Sequence, residues 1–153
     1  MNVGFRNLSI ALLLLLAAGV TSALHTTITE PPVSELLLHF VKIDDVEIAV
    51  EFADTPALRT KGLSGRELLE EGRGMLFIFE NAGRYDFWMK DMHFPIDIIW
   101  ISSDKKVVGI TPSLSPETFP EVYYPPTDVP YVLEVPSGYA ATHGLKEGDQ
   151  LTW

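Results

Sequence analysis

The chain has 153 residues, 46 % of them hydrophobic and 21 % charged, which suits one globular core and lies far from the composition of a disordered chain. Eleven basic against 21 acidic side chains give a formal net charge of −10, which repels nucleic-acid phosphates and anionic headgroups at long range and argues against a nucleic-acid partner. Cysteine is absent, so disulfides and thiol-attached lipid are excluded and stability rests on packing.

Residues 1–23 read as a secretory signal peptide. Arg6 is the sole early charge, Leu8 to Val20 is rich in Leu and Ala, and Thr21-Ser22-Ala23 offers small residues to a peptidase. The expectation is export to a periplasmic or extracellular space. The alternative is an uncut N-terminal anchor, because the apolar run is near the short end of the ~17 to 25 residues that span a bilayer, and this segment is the one membrane contact foreseen. Residues 24–34, with Pro31-Pro32, read as a flexible leader, and residues 35–153 as a single globular domain.

Leu36 to Ile43 and Val46 to Ala53 are β-leaning runs divided by Asp44-Asp45, the pattern of a tight hairpin. In the second run Val46, Ile48, Val50 and Phe52 alternate with Glu47 and Glu51, so the strand is half buried. At Asp54-Thr55-Pro56, Thr55 is placed to cap free amides and Pro56 to occupy a first helical position, which predicts a short helix ending at Gly62. Ser64-Gly65-Arg66-Glu67 has the spacing of a reciprocal capping box and predicts a second short helix to Gly72. That helix would place Arg66 in a first turn, where the macrodipole disfavours a cation.

Met75 to Phe79 is apolar at every position, the pattern of a strand covered on both faces, and Asn81-Ala82-Gly83 reads as a turn. Alternation along Arg84 to Met92 puts Tyr85, Phe87 and Met89 on one face and leaves Trp88 on the polar face with Arg84, Asp86 and Lys90. Ile96 to Ile101 is again strand-like, with Asp97 set among apolar residues. A carboxylate buried there without a partner is expensive, so Asp97 is expected to be paired, protonated or open to a cleft.

Val107 to Thr111 reads as a strand after a polar turn. Pro112 to Asp128 holds five prolines among Phe119, Tyr123 and Tyr124, a density that predicts a stiff loop without a ladder. Tyr131 to Val135 returns to strand, Ser137 is placed to cap a short helix that stops at Gly144, and a final strand runs to Trp153. Together the elements predict an α+β fold: a compact, β-rich domain, a small barrel-like or curved sheet with short helices.

Thr55-Pro56-x-x-Arg59-x-x-Gly62-Leu63-x-x-Arg66, Gly74-Met75-Leu76-Phe77-x-Phe79, Phe87-Trp88-Met89-x-x-Met92-x-x-Pro95-x-Asp97, Tyr131-Val132-Leu133-Glu134 and Gly148-Asp149 resemble the prokaryotic family called domain of unknown function 192. The resemblance spans Val46 to Trp153. It implies a compact β-rich domain with short helices, frequently exported, and implies no activity. Some relatives carry a cysteine pair in the proline-rich loop; Ser115 to Tyr124 here has none, so no redox role follows for it.

Four functional readings stand open. In the first, a non-catalytic binding module, Trp88 offers an apolar wall beside Arg84, Asp86 and Lys90, with Tyr123 and Tyr124 as further walls and Arg66, Asp97 and Glu134 as its polar groups. Its ligand is a small molecule. In the second, a hydrolase-like enzyme, Asp97 and Glu134 form an acid/base pair and Arg66 or Arg59 binds an anionic substrate group; a plain Arg66 to Asp97 ion pair accounts for the same residues without chemistry. In the third, Met75, Met89, Met92 and His93 bind copper, against which alternation separates Met89 from Met92 unless the chain bends at Asp91. In the fourth, the proline loop and Trp88 face dock an envelope protein. No cofactor or zinc-type cluster is indicated, and the four histidines, His25, His39, His93 and His143, are scattered.

Overall fold

The structure is a computed structural model and describes residues 38–153. The expected signal peptide and leader lie outside the described residues. Strands β1 (His39–Ile43) and β2 (Val46–Ala53) pair as the expected hairpin, turning at Asp44 with φ 51°. Helix α1 (Pro56–Lys61) begins where the capping signal places it: Thr55 Oγ1 accepts from the Leu58 amide, and Gly62 ends it at φ 48°.

The second expected helix does not form. Gly65 sits at φ 76°, its amide donates to the Asp91 carbonyl, and Ser64 Oγ donates to the Lys90 carbonyl instead of capping a turn. Two tertiary bonds and the pull of Glu51 on Arg66 outweigh a local signal that promised one or two caps.

Strand β3 (Arg73–Gly83) runs parallel to β2, so residues 54–72, with α1, form the crossover between them. It absorbs Asn81-Ala82-Gly83, expected as a turn. Then follow β4 (Phe87–Trp88), β5 (Ile96–Ile101), β6 (Val107–Leu114), β7 (Val122–Tyr123), β8 (Val129–Pro136), α2 (Tyr139–Thr142) and β9 (Leu151–Thr152). Seven strands make one sheet in the order β6-β5-β8-β3-β2-β1-β9, and β4 pairs with β7 as a separate ribbon. At one end the sheet curls towards closure: Lys106 bridges Gln150, and the Leu151 amide donates to the Lys105 carbonyl. The result is the β-rich, half-barrel domain with short helices that the patterning predicts.

The sheet is buried on both faces, which explains why all six residues of β5 are buried. One face gathers Met75, Phe77, Ile98, Trp100 and Val132; the other gathers Ile48, Val50, Leu76, Ile99, Leu133 and Val135. The proline-rich stretch is more regular than expected. Pro112 lies inside β6, an edge strand, where a missing amide donor breaks no ladder, and β7 pairs Val122 with Trp88 and Tyr123 with Phe87.

Candidate functional site

A cleft of about 380 Å³ opens over the first face of the sheet. One wall is α1 and the residues after it, with Pro56, Arg59, Lys61, Leu63 and Ser64; the other is Phe77, Phe79 and the run from Tyr85 to Trp88, with Met92. Glu134 of β8 is at its floor. Its volume is within the ~300 to 1,000 Å³ of small-molecule sites.

The register of four strands fixes what stands on the floor. Glu51 pairs with Met75, Met75 with Glu134, and Glu134 with Ile98, so these side chains form one row across the sheet on the face beneath the cleft. Glu51 and Glu134 are two strands apart, roughly 10 Å along the row. Arg66 reaches down from the crossover and grips Glu51 with both guanidinium arms, at 2.6 and 2.7 Å. This bidentate clamp holds the Glu51 carboxyl below its ordinary range, chiefly through its hydrogen bonds.

Glu134 has no such clamp. It is 6 % exposed, and its oxygens have no hydrogen-bond partner among the described residues. No fully enclosed polar side-chain atom of the described residues is left unsatisfied, so the Glu134 oxygens open onto the cleft. Burial pushes its carboxyl up to about 8, against the opposing pull of the Arg66 charge. At neutral pH Glu134 is a neutral acid with one O–H to give and one carbonyl oxygen to receive.

The walls are held from behind. Phe87 turns inward and meets Phe77 edge-on at 5.0 Å and Trp100 at 5.5 Å, which directs Trp88 outward to 48 % exposure. Phe79 is filled on both sides, stacked on Tyr85 at 3.6 Å and lying under the Arg59 guanidinium at 5.1 Å. Arg59 also donates to the Asp54 and Ile78 carbonyls, at 2.7 and 2.8 Å. Both arginines near the cleft are therefore committed to the protein, while Lys61 and Asp86 stand at the rim.

Of the sequence-derived site residues, the structure brings Trp88 and Glu134 to the cleft. Arg66 does not line the cleft and acts on Glu134 through its charge. Lys90 does not line the cleft; its carbonyl instead accepts from Ser64, tying the two walls together. Asp97 is not part of it. It faces Val135 across the ladder, one position out of phase with the Glu134 row, and so belongs to the opposite face. There it is 0 % exposed and accepts hydrogen bonds from the amides of Ser113 (2.8 Å), Gly138 (3.0 Å) and Ala140 (3.0 Å).

This corrects three expectations. Asp97 and Glu134 do not form an acid/base pair, the Arg66 partner is Glu51 and not Asp97, and α2 is capped by Asp97 in place of Ser137, whose hydroxyl donates to Ser113 Oγ. The copper constellation also divides. Asp91, at φ 54°, does bend the chain and lets both Met89 and Met92 bury, but His93 turns outward to Glu67 at 3.5 Å and is half exposed. Tyr123 and Tyr124 do not line the cleft, whereas Arg59, Phe77 and Met92, read from sequence as anion-binding, core or metal residues, do. The signal that would have found them is the crossover: a parallel β2-β3 pair obliges α1 to lie over the face carrying Phe77 and Glu134.

Fold and cleft together define a curled-sheet domain with a small-molecule-sized site roofed by a β-α-β crossover. By sequence, the chain belongs to the family described as Uncharacterized ACR, domain of unknown function 192, whose profile matches residues 39–153. A UPF0127 protein of Pyrococcus furiosus is 30% identical over 122 residues, 76% of this chain and 97% of that protein. A UPF0127 protein of Thermococcus gammatolerans is 30% identical over 104 residues, covering 68% of this chain and 65% of that one. Among solved structures, a protein of unknown function from Novosphingobium aromaticivorans has a TM-score of 0.74 at 31% identity, covering 80% of this chain and 90% of its own. A protein of Sinorhizobium meliloti 1021, described provisionally as a transcription regulator, has a TM-score of 0.71 at 28% identity, with 75% and 92% covered.

Proposed function

We propose that this domain is a non-catalytic binding module for a small molecule, acting after export, and that its site is the cleft above Glu134. The observation that carries the reading is a carboxyl more than nine-tenths buried, open to an aromatic-walled cleft and without a hydrogen-bond partner among the described residues. A buried polar group left unmatched costs about 1 to 3 kcal/mol, which a ligand bonded to it would offset. Hydrolytic chemistry finds no support in the second acid, because Asp97 is sealed and fully bonded on the far face. The transcription-regulator description concerns the Sinorhizobium meliloti protein; for this chain a net charge of −10 opposes attraction to a phosphate backbone.

The test is a titration of the isotope-labelled domain with a library of small aromatic compounds, read by amide chemical shifts. Binders are expected to move resonances of α1, β3, β4 and residue 134 together. Trp88→Ala should weaken them about tenfold or more while leaving stability within ~0.5 kcal/mol, because the ring is half exposed. If no compound perturbs those segments as a group, the cleft is not a ligand site. Retention of an envelope protein by the wild type but not by Trp88→Ala, without any small-molecule binding, would move the domain to the docking class.

A further inference from the structure

Resting on the small-ligand reading, we propose that the ligand is a neutral, planar ring with a cis-amide edge, a lactam or imide whose N–H and C=O lie side by side, held by the Glu134 carboxyl and walled by the Trp88 ring. Three observations on the cleft point to this class. The first is the lack of a counter-charge at the floor. Arg66 spends both arms on Glu51, and Arg59 is bonded to two main-chain carbonyls and to the Phe79 ring. Among the described residues the cation left over at the cleft is Lys61, exposed at its rim, and a charge carried past it down to Glu134 without a partner would lose its hydration uncompensated.

The second is the form in which Glu134 is present. The acidic and basic groups around it are Arg66 and its partner Glu51 from the crossover and β2, and Arg59, Lys61 and Asp86 on the walls; its ladder neighbours Met75 and Ile98 are uncharged. In that setting burial wins and the acid keeps its proton at neutral pH. A protonated carboxyl presents a donor and an acceptor side by side in one plane. The complement is an edge with an acceptor and a donor at the same spacing, which a cis amide supplies and a carboxylate or an ammonium does not. A site built to satisfy both atoms also rejects ligands lacking either, because the loser is a buried polar atom.

The third is the shape of the walls. Phe77, Phe87 and the half-exposed Trp88 present ring surfaces, and Met92 fills the remaining side, which favours a flat, apolar body over a branched one.

The experiment compares three probes of similar size: 2-pyridone (neutral, cis amide), benzoate (anion) and benzylamine (cation), each titrated by amide shifts at pH 6.5 and 9. The expectation is that 2-pyridone binds in the cleft most tightly of the three. Its affinity should fall about tenfold from pH 6.5 to 9 as Glu134 ionises. Glu134→Gln retains a donor and an acceptor in one plane, so it should keep binding within about threefold and abolish the pH dependence, whereas Glu134→Leu should lose at least tenfold. Tighter binding of benzoate or benzylamine in the cleft, or 2-pyridone binding that ignores pH in the wild type, would overturn the amide-edge assignment and leave the small-ligand reading standing. Silence of the cleft resonances towards all three and towards the wider library would remove the reading on which the assignment rests.

Discussion

Asp97 of β5 accepts a hydrogen bond at 3.0 Å from the amide of Ala140, so an interior strand of the sheet supplies the N-terminal cap of a helix 43 positions further along the chain. Gly138 and Ser113 donate to the same carboxylate. Replacing Asp97 by Ala leaves three amides without their acceptor, that of Ala140 in the buried interior, and is expected to destabilise the domain by about 2 to 4 kcal/mol. Urea unfolding measures it. The variant that still folds should bind cleft ligands as the wild type does, because Asp97 lies on the other face; a selective loss of binding with unchanged stability would contradict this placement.

Glu134 gives stability an unusual slope with pH. Below the ordinary carboxyl value of 4.5 the group is protonated in both the folded and unfolded states. Between there and about 8 the folded state retains a proton that the unfolded chain has released, so stability contributed by Glu134 falls as pH rises through this window and levels off above it. Glu51, held low by Arg66, acts in the opposite sense only on the acid side, losing its contribution as pH falls. Urea midpoints at pH 5, 7 and 9 should therefore decline for the wild type more steeply than for Glu134→Gln. Parallel profiles would show that the carboxyl is ionised in the folded state.

The Arg66 clamp is expected to matter more for its neighbour's proton than for the fold. Arg66 and Glu51 are each about one-third exposed (32 % and 33 %), so screening limits the loss in Arg66→Met to ~1 kcal/mol. The Arg66 charge opposes protonation of Glu134, so its removal should move the Glu134 midpoint further upward. A carbon-detected titration of the Glu134 carboxyl reads this directly. A downward shift would mean that Arg66 does not face the floor.

At Gly74 the backbones of β3 and β8 approach so closely that an added Cβ would stand 2.7 Å from the Glu134 carbonyl oxygen. The obstacle is main chain and cannot rotate aside. Gly74→Ala is expected to destabilise by about 1 to 3 kcal/mol and to displace Glu134 along the ladder, weakening cleft binding with it. Thermal unfolding and the cleft titration together check both halves.

Much of this was legible without coordinates because the strands carry period-two alternation and the turns carry their own chemistry. The β1-β2 hairpin, α1 between Thr55 and Gly62, the double-sided burial of Met75 to Phe77, though not of Ile78 and Phe79, and the outward aim of Trp88 all follow from patterns a few residues long. What was not legible depends on register and on distant partners. Asp97 and Glu134 look alike in sequence, as acids in apolar strands, yet a one-residue difference in phase across β5 and β8 sends one to cap a helix and the other to floor a cleft. The capping box at Ser64 failed for the same reason: Lys90 and Asp91 hold that segment, and nothing local announces them.

The crossover between β2 and β3 has an evolutionary corollary. Pro56 and its residues from Arg59 to Ser64 line the cleft without belonging to any strand, so a change in the length of that passage leaves every pairing of the sheet in place. Change in the walls of the cleft and preservation of the scaffold are thereby uncoupled. Domains sharing this architecture can reshape the cleft by editing one connecting passage.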